Sequence, residues 1–384
     1  MIINPIARAF YKICERISIG TLHFTSPEGE TMTFGSGAPE ATLTLHSWSV
    51  VTAIIQRGDI GLGETYSEGL WDSPDVEKLI LLALKNQKLA EDLEQGSMFR
   101  RVFYVLKDRL LRRNSQRGSK KNIAAHYDVG NDFYRLWLDD TMTYSSAIYE
   151  GSEPLEQAQF KKYDRLLNMV KPSGGNILEV GCGWGGFAEQ AAHAGCDVTG
   201  ITISPAQHEF ATRRLGNKAN IELRDYRKVE GKYDGIVSIE MVEAVGVRYW
   251  PEYFQMLKSR LNPGGKIAIQ AIIVEDDHFE HYRNQSDYIR QYTFPGGMLI
   301  SPEHITRQAQ NVGLKTDQFF RFGLDYARTL REWLQKFNAA EPQIRALGYD
   351  EAFLRSWRYY MQICAAAFQN QYRTNVIQVE LSHA

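Results

Sequence analysis

The stretch NILEVGCGWGGFAEQAA, beginning at Asn176, constrains this 384-residue chain more than any other. An apolar run enters a turn containing four glycines and leaves it as a helix. Glycine tolerates the backbone conformations such a turn needs, and its backbone N–H groups can approach a ligand closely. The spacing Gly181-x-Gly183-x-x-Gly186 also satisfies the dinucleotide fingerprint. The loop alone therefore leaves a nicotinamide cofactor and other ligands open.

Around this loop the pattern is one of alternating strands and helices. NILEVG, DVTGITIS, NIELRD, YDGIVSIE and KIAIQAIIV are short apolar strands, with helical segments between them and a shorter irregular link after NIELRD. The fold class this implies is α/β, a doubly wound, Rossmann-like parallel sheet. The C-terminal part offers a long helix, DEAFLRSWRYYMQICAAAFQNQ, and a last strand, VIQVELS.

Three features choose the ligand. A nicotinamide enzyme wants an acidic residue at the end of the second strand to hold the ribose. Here that strand ends GITISPAQ; Asp197 precedes the strand, and the later candidates are Thr202, Ser204 and Gln207. Glu179 lies in the first strand two residues before the loop, a common feature of S-adenosylmethionine (SAM) sites. LNPGGKIAI opens the fifth strand with a Leu-x-Pro-Gly-Gly turn frequent in class I methyltransferases. Together they favour SAM.

Residues 1 to about 112 read as a first, smaller α+β unit. A short amphipathic helix near Ala7–Ile17 leads into GTLHFTSPEGETMTFG, whose Pro-Glu-Gly turn between alternating segments predicts a hairpin. ATLTLHSW is another strand, and SWSVVTAIIQRG and DSPDVEKLILLALKN have helical spacing. Ser73 is the expected N-cap of the second of these helices, with Pro74 at its first position. Phe99 to Asn122 carries nine Lys/Arg and one Asp, half helix and half linker. A solvated tether is one account of it. A surface for anionic lipid is the other, since each basic residue there contributes about 1 kcal/mol.

Bulk properties set limits. Net charge is −2, so no overall charge argues for nucleic acid. Four scattered cysteines show neither metal-ligand spacing nor a disulfide framework, which suggests a reducing cytoplasm. The first twenty residues are interrupted by charges and do not resemble a signal peptide. No apolar run approaches the ~18 residues a membrane span needs. Contact with a membrane would be peripheral, at the inner leaflet.

HYDVGNDFYRLWLDDTMTYSSA, LEVGCGWGGFA, GITISPAQ, RDYR, EMVEAVG, YTFPGG and FGLDYARTLREW together resemble the cyclopropane-fatty-acyl-phospholipid synthases and the related mycolic-acid cyclopropane synthases. RGDIGLGETYSEGLWDSPDVEKLI looks like the lipid-contacting domain of the bacterial phospholipid enzymes. The resemblance covers nearly the whole chain. It implies a lipid-binding domain over residues 1–112, a basic linker over 113–122 and a SAM-dependent catalytic domain over 123–384. It implies methyl or methylene transfer from SAM to the double bond of an unsaturated acyl chain of a membrane phospholipid, and it allows a homodimer.

The resemblance also assigns positions. Tyr144 and Ser145 match the methionine side of SAM, Gly181 and Gly183 the loop beneath it, Thr202 and Gln207 the ribose, and Asp225 and Tyr226 the edge and face of adenine. Glu243, the backbone of Ile272, and Tyr326 match members of an anion site that holds bicarbonate in the family. Two further members differ. The family's Cys is Ser146 here, in TYSSA, and the family's His is Gln270, in IQAII. Both can donate a hydrogen bond, but an amide cannot take up a proton as imidazole can. Bicarbonate binding and the last step are therefore open: ring closure, or a methyl-branched or methylene product.

The chemistry demands that a weak nucleophile meet the methyl in line at about 3–3.5 Å, that water be excluded, and that aromatic faces shelter the developing cation. Tyr144, Tyr292, Phe294 and Tyr326 are the candidate rings, and HFEHYRNQSDYIRQYTFPGGML is a candidate lipid-binding wall. Two other functions compete: a small-amine N-methyltransferase, and a lipid-binding protein with a vestigial SAM pocket.

Overall fold

The computed structural model describes residues 5–86, 129–170, 174–370 and 373–384. The basic stretch Phe99–Asn122, the expected linker 113–122, and His126 and Asp128 of the HYDVGNDFY motif lie outside them.

The N-terminal unit opens with a helix, Pro5–Cys14, followed by β1 (Gly20–Thr25), β2 (Thr31–Ser36) and β3 (Glu40–Leu45). Helices Ser49–Arg57 and Asp59–Ser67, the short β4 (Trp71–Asp72) and helix Val76–Lys85 complete it. The sheet order is β2-β1-β3-β4. β1 and β2 form the predicted hairpin, closed by hydrogen bonds between Ser26 and Glu30. Phe10, Leu22, Phe24, Leu45 and Trp71 are buried between sheet and helices. The helix expected to start at Ser73 starts later. Asp75 is its N-cap, its carboxylate accepting from the Lys78 N–H at 2.9 Å, while Ser73 Oγ accepts from Asp75 N at 3.3 Å and Pro74 stays outside. A carboxylate competes well with a hydroxyl here because it also meets the positive end of the helix dipole.

The second unit begins with helices Asn131–Arg135 and Leu155–Val170. Its strands are β5 (Asn176–Val180), β6 (Asp197–Thr202), β7 (Asn220–Leu223), β8 (Tyr233–Ile239), β9 (Leu261–Val274), β10 (Leu314–Thr316), β11 (Phe320–Arg321) and β12 (Thr374–His383). The order is β10-β12-β9-β8-β5-β6-β7, with β11 also paired to β12. From β9 to β7 every pair is parallel, as the strand–helix alternation implied, and β12 adds to β9 antiparallel. The parallel strands are covered on both faces, so they read as unbroken apolar runs; Ile177, Leu178, Val180, Ile236, Val237 and Ile267 are fully buried. Chain order reverses at β5, which lies between β8 and β6. Ligands of such sheets bind in the crevice at the carboxyl ends of the strands beside that reversal.

Helix Glu351–Asn370 packs against helix Gly323–Ala339 of its own unit and against helices Asp59–Ser67 and Val76–Lys85 of the N-terminal unit. Arg355 reinforces the join by donating to the carbonyls of Tyr66 and Trp71 and to Asp72. Tyr288 N donates to Asp59 at 3.0 Å. The expected lipid wall therefore has two tasks. Tyr288 and Tyr292 seat the N-terminal unit, and Phe294 reaches inward. Tyr292 is 53% exposed and donates to Glu64, so it does not belong to the ring cluster proposed for it.

Candidate active site

The glycine turn sits at the carboxyl end of β5. Gly181 and Gly183 have φ of 83° and 52°, a region side chains rarely adopt. The N–H groups of Gly181 and Cys182 both donate to Ile201 O, which ties the turn to the end of β6. Glu179 is buried beneath the loop, facing the Ala188 N–H and the field of Lys162; burial raises its carboxyl well above the usual range.

At the end of β6, Thr202 Oγ1 donates to Gln207 Oε1 at 2.9 Å. The Gln207 oxygen is thereby used, and its NH₂ group is the part available to a ribose hydroxyl. Asp225 Oδ1 accepts from Arg227 N and Nε at 3.0 and 2.9 Å. The other oxygen, Oδ2, is buried without a hydrogen bond. A buried acceptor left bare costs about 1–3 kcal/mol. A ligand with an N–H edge, such as the adenine amine, satisfies it. Tyr226 is buried beside it, edge-on to Tyr253. These residues fit SAM, which would supply an electrophilic methyl group.

The aromatic segment upstream folds over this region. Asn131 accepts from Trp184 Nε1 at 2.8 Å and donates to Ala206 O at 3.1 Å, joining the segment to the glycine turn and to helix Pro205–Leu215. The Tyr144 ring lies 5.3 Å from Trp333, 5.4 Å from Tyr134 and 6.3 Å from Phe294, and its hydroxyl donates to Tyr360. Tyr326 stacks on Phe368 at 4.4 Å and meets Trp333 edge-on. Of the four rings named from sequence, Tyr144, Phe294 and Tyr326 belong to this wall. Ser145 is pinned below it, its hydroxyl accepting from Lys162 Nζ at 2.7 Å.

The residues that the resemblance assigns to an anion site meet around a further carboxylate, that of Glu240. Glu240 Oε1 accepts from Ser146 N at 2.9 Å and Gln270 Nε2 at 2.8 Å; Glu240 Oε2 accepts from Tyr326 OH at 2.7 Å. Ser146 contributes its backbone, not its side chain, for its hydroxyl donates to Ala147 O. Gln270 is oriented from behind by Gln378 Nε2, which donates to Gln270 Oε1 at 2.9 Å across the β9–β12 pair. Glu243 lies one turn on. Its Oε1 accepts from Ile272 N and its Oε2 has no hydrogen bond. Burial and the neighbouring Glu240 push the Glu243 carboxyl up to about 8. Lys162 is a fully buried ammonium facing Glu240, Asp139 and Glu179; burial brings it down to about 7. Glu240 and Glu243 nevertheless keep some accessible surface.

The sequence profile of the family described as mycolic acid cyclopropane synthetase matches residues 114–379. Tuberculostearic acid methyltransferase UfaA1 of Mycobacterium tuberculosis is 34% identical, over 88% of this chain and 83% of its own. Cyclopropane-fatty-acyl-phospholipid synthase of Escherichia coli K12 is 32% identical, over 87% of this chain and 86% of its own. The crystal structure of mycolic acid cyclopropane synthase CmaA1 complexed with SAH and CTAB superposes with a TM-score of 0.64 at 28% identity, covering 68% of this chain and 97% of that one. On the profile match, the long identities and the glycine-turn geometry, the chain belongs to the mycolic acid cyclopropane synthetase family and is a methyltransferase whose methyl donor is S-adenosylmethionine.

Proposed function

We propose that the protein transfers the methyl group of SAM to the double bond of an unsaturated fatty acyl chain of a membrane phospholipid, and that the product is a cyclopropane acyl chain. The observation that carries this is the wall of Tyr144, Phe294, Trp333 and Tyr326 standing next to the Glu240–Glu243 pair. An apolar wall suits an olefin, excludes water and lowers the energy of a carbocation through its ring faces. The long match to a relative named for cyclopropane fatty acyl phospholipids supports the substrate class.

A small amine suits the site less well. The ring faces could meet an ammonium group, but a site built for one gains from an ionised carboxylate free to pair with it. Glu240 is covered by three donors, and Glu243 is protonated at neutral pH. A second product has its own support. Ser146 and Gln270 stand where the resemblance expects Cys and His, and another relative of similar identity is named for tuberculostearic acid. The same transfer ending in a methyl-branched or methylene chain is that second reading.

The substrate is reached from the membrane surface, by a catalytic unit packed against the N-terminal unit. Among the described residues no helix is long and apolar enough to cross a membrane. The test is incubation of the purified protein with isotopically labelled SAM and phospholipid vesicles, followed by mass spectrometry of the acyl chains. Label is expected in monounsaturated chains and not in saturated ones, with the mass and fragmentation of a cyclopropane. Label in a small amine and none in lipid would overturn the proposal.

A further inference from the structure

We infer that Glu240 is the base that completes the reaction, a carboxylate built into the chain at the point where Ser146, Gln270 and Tyr326 converge. This rests on the methyl transfer proposed above. Glu240 follows directly after β8, at the carboxyl end of a central strand, where the sheet presents its ligand crevice. Its φ is +48°, one of two left-handed non-glycine residues among those described. That conformation is uncommon and strained for a residue with a β-carbon, and such strain gathers at functional sites.

Burial raises the Glu240 carboxyl above its ordinary range, which suits a group that must take a proton, while its three donors and the neighbouring Lys162 pull the other way and favour the charged form. Burial, and then the neighbouring Glu240, raise the Glu243 carboxyl to about 8, its Oε1 accepting from Ile272 N. Two neighbouring carboxyls in unlike hydrogen-bonding surroundings can divide the acid and base roles. The groups facing Glu240 are Lys162 from helix Leu155–Val170, Tyr326 from helix Gly323–Ala339, Glu243 from the turn after β8, and the Gln270 amide from β9. An ionised carboxylate has about four acceptor sites. Oε1 uses two and Oε2 one, which leaves a site on Oε2 for a proton from the substrate.

The step balances without a further reagent. Methyl transfer forms a carbon–carbon bond, breaks the donor's carbon–sulfur bond and leaves a cation on the acyl chain. The Glu240 carboxylate then takes one proton. Taken from the transferred methyl, the electron pair of that C–H bond closes the ring. Taken from a neighbouring chain carbon, it forms a methyl-branched alkene. The donors that the resemblance assigns to bicarbonate are thus engaged by a side chain of the protein itself.

Two variants of the full chain test this with labelled SAM and monounsaturated phospholipid vesicles, in buffer freed of carbon dioxide. The wild-type rate is expected to be unchanged when bicarbonate is added. Glu240→Gln is expected to lose at least about 100-fold in kcat, with KM and SAH affinity within about threefold. Glu240→Gly, which relieves the left-handed backbone and exposes all three donors, is expected to be as slow and to regain rate with millimolar formate or bicarbonate. Three results would overturn the assignment: either variant within tenfold of wild type without added anion; a wild-type rate that follows bicarbonate; or Glu240→Gly with intact SAH affinity and no rescue. If the wild-type chain labels no unsaturated lipid, the proposed function fails and the base assignment fails with it.

Discussion

Gly63 lies inside helix Asp59–Ser67 at the join between the two units. Replacing a helical glycine with alanine ordinarily stabilises by about 0.5–1 kcal/mol. The structure reverses the sign here. A β-carbon at Gly63 would stand 2.3 Å from Tyr288 Cδ2, 2.5 Å from Cε2 and 2.7 Å from Tyr359 Cε1. Carbon pairs rest at about 3.5–4.0 Å, so the overlap exceeds 1 Å on roughly that scale. The Tyr288 ring cannot easily yield. It is buried, its hydroxyl is hydrogen-bonded to Ser356, and Tyr359 and Tyr292 pack against it. Overpacking of this kind costs about 1–3 kcal/mol. Gly63→Ala is therefore expected to destabilise by up to about 2.5 kcal/mol after the helical gain is subtracted. In the N-terminal unit that carries it, a domain of roughly 100 residues, each 1 kcal/mol lowers Tm by about 4–8 °C. A double-mutant cycle with Tyr288→Ala isolates the cause, because removing the ring makes room for the new methyl. Urea unfolding should show a favourable coupling of about 1 kcal/mol or more between the two changes. A higher Tm for Gly63→Ala alone, or strict additivity, would refute this account.

Tyr326→Phe removes the one donor to Glu240 Oε2 among the described residues and keeps the stack on Phe368. A hydrogen bond to a charged group is worth about 1.5–3 kcal/mol, or about one to two pKa units. The donor lowers the Glu240 carboxyl, so its loss raises it, and the active ionised form then survives only at higher pH. The acid limb of kcat against pH should move up by about that amount, with the deficit shrinking as pH rises; an unmoved limb would count against the assignment. Asp225→Asn should weaken SAH binding by about tenfold to a hundredfold. Arg227 needs an oxygen on its side, so the new NH₂ group must face the ligand where Oδ2 stood. Calorimetry with SAH checks this, and an unchanged Kd would remove Asp225 from the adenine site.

The parallel strands were legible because burial on both faces leaves long apolar runs such as those of β5 and β8, and the β1–β2 hairpin because its turn chemistry is local. The cap lies two residues beyond the expected Ser73, at Asp75, because both side chains are good N-caps and no periodicity separates them. Lys162 went unnoticed because a lysine on an amphipathic helix is usually solvated. Its spacing from Ala158 and Leu166 does place it on the buried stripe of that helix. Glu240 opens EMVEAVG, where its residue type alone does not set it apart. Its place beside Ser146, Gln270 and Tyr326 depends on the left-handed backbone just after β8, which no local pattern announces. Ser146 shows the same limit: residue type suggested a hydroxyl donor, and the fold uses the backbone.

Lys162 and Glu240 interact inside the protein, where mobile ions screen little, whereas charges exposed to solvent are screened over about 8 Å at physiological ionic strength. Added sodium chloride should therefore leave the field inside the site almost untouched. Under the proposed function, turnover at saturating lipid then reports the buried site, and a dependence on salt confined to kcat/KM reports encounter with the vesicle. One titration with an inert electrolyte thus separates docking from chemistry.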